Sequence, residues 1–202
     1  MGIMFVAGCV TMLNGAAATV FVPNHSFEAP VVPASGYTTT APSGWSGAGT
    51  QSFGVQKIYD SITGVTGAQT GYLNGVGTSM WSATDLITIA LGETYTLDVD
   101  AWDRPVWPAN GFKIELGNSD FSQILSSTGI VNPEGTGVST YTLVYTPNAL
   151  DSALGSGLRV RITNTGGQQV LFDNIRLDVI PEPSAAVLGV AGLLLAGRRR
   201  RS

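Results

Sequence analysis

Apolar and polar residues alternate with a period of two through the middle of this chain, and that pattern leaves few folds open. Tyr95, Leu97, Val99 and Ala101 interleave with Thr94, Thr96, Asp98, Asp100 and Trp102, and Phe112, Ile114 and Leu116 with Lys113 and Glu115. Leu158, Val160 and Ile162 alternate with Arg159 and Arg161, and Ile175, Leu177 and Val179 with Asn174, Arg176 and Asp178. Tyr141 to Tyr145 and Leu86 to Leu91 are further strand candidates. Turn formers separate these runs, among them Gly92-Glu93, Pro108-Ala109-Asn110-Gly111, Gly117-Asn118, Pro147-Asn148 and Gly166-Gly167. No stretch outside the termini sustains a helical period. Strands with one apolar and one polar face belong in an antiparallel two-sheet sandwich.

Composition agrees. The 202 residues include 26 glycines and only 12% charged side chains, which is poor in helix formers. The formal charge of -4 averages two unlike regions, because Arg198, Arg199, Arg200 and Arg201 sit at the extreme end. The chain before Pro181 is more acidic, so a nucleic-acid partner, which needs a basic patch, is not expected. The single cysteine, Cys9, lies in an apolar N-terminal segment, so the body folds without disulfides.

The two ends read as processing segments. Gly2 to Ala18 is apolar and closes on Gly15-Ala16-Ala17-Ala18, which fits a signal peptide spanning 1–18. Residues 181–202 begin Pro181-Glu182-Pro183, continue as an uncharged run from Ala185 to Gly197, and end in the arginine cluster. A thirteen-residue helix spans ~20 Å, short of a ~30 Å hydrocarbon core unless the arginines snorkel. These residues in this order resemble the PEP-CTERM sorting signal. The resemblance implies an exported protein of a Gram-negative bacterium, held transiently in the inner membrane by a short hydrophobic helix. It also implies cleavage by an exosortase-type membrane protease near Pro181, Glu182 and Pro183, and delivery to the cell surface or medium.

Between them, residues 19–180 carry two end motifs: Asn24-His25-Ser26-Phe27-Glu28 and Phe172-Asp173-Asn174-Ile175-Arg176-Leu177. Together they are similar to the ends of galactose-binding-like jelly rolls, the β-sandwiches of many carbohydrate-binding modules. The resemblance implies an all-β antiparallel jelly roll. It also implies one structural calcium ion held by Glu28 and Asp173 with backbone carbonyls; the alternative is that both carboxylates serve local hydrogen bonds. Trp102, on a polar strand face, and Trp107, in a proline-bounded loop, are the candidates for an exposed sugar-stacking pair. Trp45 is expected in the core. Asp98 and Asp100 are expected to form solvated cross-strand ion pairs, with Lys113 and Arg161 if those strands are neighbours.

No catalytic constellation stands out. His25 has no nucleophile at a recognisable spacing, and Gly44-Trp45-Ser46-Gly47-Ala48 misses the nucleophile elbow at its last position. The reading is therefore a non-enzymatic surface or matrix protein associated with extracellular polysaccharide or envelope. The alternatives are a dedicated carbohydrate-binding module and, further off, a sandwich-fold esterase or glycosidase.

Overall fold

The computed structural model describes residues 16–33, 36–58, 62, 64–104, 107–108, 111–133 and 137–182. The expected C-terminal helix and the arginine cluster lie outside these residues, as do Pro183 and most of the N-terminal segment. Thirteen strands account for the regular structure, and no helix occurs among the described residues, so none there is long and apolar enough to cross a membrane.

Two antiparallel sheets face each other, as the alternation predicts. The first contains β1 (Ala18–Val20), β2 (Tyr37–Thr38), β4 (Phe53–Lys57), β5 (Gln69–Asn74), β8 (Glu93–Asp103), β11 (Ser139–Tyr145) and β13 (Gln169–Pro181). Its order is β11-β8-β13-β5-β4-β2, with β1 also paired to β13. The second contains β3 (Trp45–Ala48), β6 (Ser79–Ser82), β7 (Ile87–Thr88), β9 (Phe112–Asn118), β10 (Ile124–Ser127) and β12 (Gly157–Asn164), in the order β10-β9-β12-β6-β3 with β7 beside β12. Neighbours distant in sequence, such as β13 with β5 and β12 with β6, make this a jelly-roll sandwich rather than a meander.

The inward positions are those the alternation names: Tyr95, Leu97, Val99 and Ala101 of β8 meet Ile114 and Leu116 of β9 and Val160 and Ile162 of β12 in one buried core. Burying side chains of this size stabilises by about 1.5–3 kcal/mol each. The two end motifs meet here. Phe27 packs between Trp45, tilted against it, and Phe172, edge to face, at ring separations of 5.3 and 5.1 Å, and Trp45 Nε1 donates to the Pro23 carbonyl at 2.8 Å. Phe27 has φ 53°, a left-handed conformation unfavourable for a bulky residue, and burial of its ring between two aromatics offsets that strain. Gly71 lets Phe172 lie flat on β5, since a Cβ there would stand 2.5 Å from the ring.

β13 is the hinge of the first sheet. Its first half pairs β5 and β8, then the register slips between Asp173 and Arg176, and its second half pairs β8 and β1. Asn174, at φ 51°, forms this bulge, and Ile175 N donates to the His25 carbonyl at 3.0 Å. The strand runs through Pro181, and Glu182 N donates to the Gly92 carbonyl at 2.7 Å, so these two residues pack with the sandwich.

One expected pairing is not made. Asp98 and Asp100 lie in the first sheet and Lys113 and Arg161 in the second, so the four do not meet. Asp100 instead takes Arg176, Asn174 and Thr140, while Lys113 and Arg161 share Glu115. Alternation specifies which face a residue takes; it does not specify which sheet.

Candidate functional site

The outer face of the first sheet is not the solvated surface that alternation suggests. Trp102, Leu171 and Tyr72 are aligned across β8, β13 and β5, and all three are buried, with Ile62, Val65 and Val138 packed over them. Trp102 is therefore no exposed platform: it is 0% exposed, and its Nε1 has no hydrogen-bond partner among the described residues. Loop segments brought from far along the chain cover it, which strand periodicity could not show.

One residue pair further along the same strands, the face becomes polar and opens into a pocket of about 300 Å³. Tyr37, Ser52, Gln56, Tyr72, Asn74, Arg104, Trp107 and Gln169 line it. Trp107 remains 48% exposed, with the Arg104 guanidinium 5.3 Å from its ring centre. Trp107 and Asn74 also line an adjoining depression with Gln51, Gly75, Val76, Gly167 and Gln168. The structure thus separates the two candidate tryptophans: Trp102 is part of the floor beside the pocket and Trp107 stands at its rim. The amides Gln56 and Gln169 and the guanidinium of Arg104 were not singled out by the sequence. Gln56 lies in the short β4 and Gln169 at the start of the long β13, and only the pairing of β13 with β5 and β5 with β4 brings them together.

Asp173 lies on the same face, paired across to Asp100, and is 1% exposed. Burial is the main cause that pushes its carboxyl up to about 8, with the charges of Glu28 and Asp100 adding to the rise and the Asn174 N–H opposing it. Oδ1 accepts that N–H at 2.8 Å, and Oδ2 has no partner among the described residues. Glu28 is exposed, and its Oε1 accepts Ala68 N at 2.8 Å and Gln69 N at 3.1 Å. Asp173 makes a local bond, whereas Glu28 takes the N–H groups of a segment some forty residues away, and one buried Asp173 oxygen is left over. Among the described residues no group of three or more His, Cys, Asp or Glu side chains could hold a metal. The orphaned Oδ2, with a second carboxylate acting on it, is nevertheless chemistry that suits a hard cation completed by carbonyls and water. Asp100 behaves oppositely. Burial pushes its carboxyl up, but hydrogen bonds from Thr140, Arg176 and Asn174 outweigh that and hold it below the usual range.

No curated protein matches the chain in sequence. Among solved structures, a cyclase from Fischerella sp. TAU superposes with a TM-score of 0.69 at 22% identity, covering 83% of this chain and 99% of its own. A Stig cyclase, Fisc, from Fischerella sp. TAU in complex with (3Z)-3-(1-methyl-2-pyrrolidinylidene)-3H-indole gives 0.69 at 20% identity, covering 83% and 100%. A cyclase from Fischerella sp. TAU in complex with 4-(1H-indol-3-yl)butan-2-one gives 0.69 at 21%, covering 82% and 98%. At these identities the likeness shows a shared sandwich.

The family profile named HpiC1-like, described as HpiC1 cyclase, matches residues 18–178. That match overturns three expectations: a chain recognised by its sorting tail with a carbohydrate-module body, a non-enzymatic surface protein, and partners consisting of an exosortase-type protease and extracellular polysaccharide. The end motifs are those of a jelly roll, and the jelly roll stands; the family it serves is a different one. Over 18–178, nearly the whole described sandwich, the chain belongs to the HpiC1-like cyclase family.

Proposed function

We propose that the chain is an enzyme that folds and cyclises a small, flat, largely apolar molecule on the outer face of the seven-stranded sheet. The observation that carries this is the pocket beside the buried Trp102–Leu171–Tyr72 floor, lined by aromatic, amide and guanidinium side chains, in a chain of a cyclase family. Two relatives of the same fold hold indole compounds, which are flat and mostly apolar. Ring closure within one molecule gains most from being held folded with its reacting ends together. The rings of Trp107, Tyr72 and Tyr37 favour positive charge developing over their faces, and Gln56 and Arg104 favour negative charge developing on an oxygen or nitrogen. The lining among the described residues is aromatic, amide, hydroxyl and guanidinium, which supplies shape and polarity to the ligand.

Calorimetric titration with 4-(1H-indol-3-yl)butan-2-one tests the site, and incubation with unsaturated indole compounds tests the reaction. Saturable binding lost in Trp107→Ala, and a product of altered retention but unchanged mass, are expected. Binding that survives Trp107→Ala would place the ligand elsewhere.

We further propose that Glu28 and Asp173 help hold one structural calcium ion, which would neutralise the buried Asp173 carboxylate and tie the chain's two end motifs together. Melting curves with and without chelator test it; an unchanged curve would remove it. Division into a leader (1–18), a body (19–180) and a tail (181–202), with export of the body, is likewise our proposal. Mass spectrometry of the mature termini from the producing cell tests that division.

A further inference from the structure

The polar end of the pocket has a hydrogen-bond direction forced by chemistry. Arg104 carries only donors, so the Gln169 amide must present its oxygen to Arg104 Nη1, 3.5 Å away. Gln169 Nε2 then faces the opposite way, donating to Gln56 Oε1 at 3.1 Å and Asn74 Oδ1 at 2.9 Å. Asn74 passes the direction on, its Nδ2 donating to Ser52 Oγ at 2.8 Å. Ser52 in turn hydrogen-bonds Tyr72, whose hydroxyl donates to the Thr38 carbonyl at 3.3 Å. That branch ends satisfied on backbone oxygen. The other branch does not end. Gln56 must accept through Oε1, so its Nε2 points away from Gln169, and it has no partner among the described residues although Gln56 is only 3% exposed and lines the pocket. A buried amide donor left unmet carries a desolvation penalty that a ligand oxygen would relieve.

We propose that Gln56 reads an uncharged hydrogen-bond acceptor, a carbonyl or ether oxygen, on the ligand of this pocket, and that Arg104 sets the direction of that donor through Gln169. The inference rests on the pocket being the ligand site. A cation would meet a donor where it needs an acceptor, and an anion would be drawn to the Arg104 guanidinium rather than to the neutral amide of Gln56. A neutral acceptor on a flat skeleton lying against Trp107 satisfies both ends of the pocket. Gln169 is the positioning residue, because replacing its amide by a carboxylate removes every donor it has. Arg104 would still be accepted, but Gln56 would have to turn Nε2 towards the new carboxylate and present Oε1 to the ligand.

The test compares the full-length wild type, Gln169→Glu, Gln56→Met and Trp107→Ala, using the indolyl ketone introduced above and its alcohol, 4-(1H-indol-3-yl)butan-2-ol. The ketone only accepts at its oxygen, whereas the alcohol can donate or accept. Wild type should bind both within about threefold of one another. Gln169→Glu should weaken the ketone about tenfold while sparing the alcohol, and Gln56→Met should weaken both about tenfold. Ketone binding unchanged by either glutamine variant but lost in Trp107→Ala would overturn the assignment and leave the pocket standing. Binding untouched by all three variants would overturn the pocket and the assignment together. A split between ketone and alcohol is a result that damage to folding cannot imitate.

Discussion

The two outer faces of the sandwich are built from the same alternating strands, yet their polar groups are treated differently. On the six-stranded sheet the buried Glu115 has both oxygens matched, to Lys113 and Arg161 at 2.7 Å each, and Arg161 also covers the Phe121 ring at 4.4 Å. Arg159 meets Asp85 at 2.7 Å and Ser79 meets Thr163 at 2.9 Å. On the seven-stranded sheet Gln56 Nε2, Trp102 Nε1 and Asp173 Oδ2 are buried without partners among the described residues. A face that is closed upon itself contributes stability. A face that leaves polar atoms unmet is organised for something that arrives later.

Substitutions can break that contrast, and the largest effect falls on the layer between the faces. Phe27→Ala removes a ring packed against both Trp45 and Phe172 and should cost about 3–5 kcal/mol, read by denaturant unfolding. Glu115→Gln should cost about 1–3 kcal/mol, since it strips the charge that balances Lys113 and Arg161, and should leave ketone binding unchanged. A loss of binding there would mean that the closed face is not independent of the open one.

The faces should also respond to pH with opposite sign. Burial raises the Glu115 carboxyl, but the hydrogen bonds and charges of Lys113 and Arg161 outweigh it and hold it below 4.5. Its contribution is therefore present above 4.5 and is lost as pH falls through the lower folded value. Asp173 is raised from 3.8 to about 8, so without a cation its contribution is greatest below 3.8 and is lost as pH rises towards about 8. Thermal melting in chelator should show stability declining with pH across that window, and Asp173→Asn should remove the decline. Calcium should do the same for wild type and nothing for the variant. The smallest stability effect belongs to Trp107→Ala, within about 0.5 kcal/mol for an exposed side chain, although it should lose ligand binding.

Much of the sandwich was legible because alternation is a local consequence of the pleat. β8, β9, β11, β12 and β13 each contain a run of alternating residues readable without any partner. β3 to β6 were not legible. Gly47, Gly54 and Gly71 interrupt the patterns of β3, β4 and β5, and each is explained by another segment: the Phe53 ring, the Thr38 carbonyl and the Phe172 ring; β6 is only four residues long. The end motifs correctly pointed to a jelly roll, in which the Glu28 charge acts on Asp173. The site was legible only in fragments. Trp107 could be named from its proline-bounded loop, but the burial of Trp102 depends on segments around Ile62 and Val138, and the amide relay depends on three strands meeting. A shared fold also misdirected the reading of activity, because end motifs describe how a sandwich closes and not what lies on its face.

The most direct measurement is an NMR titration of the isotope-labelled protein with 4-(1H-indol-3-yl)butan-2-one. The account predicts saturable shifts at Tyr72, Arg104, Trp107 and Gln169, with the Gln56 side-chain amide protons moving most. Shifts centred on Trp81, Glu115 and Arg161 of the opposite face, with the Gln56 amide unmoved, would contradict it.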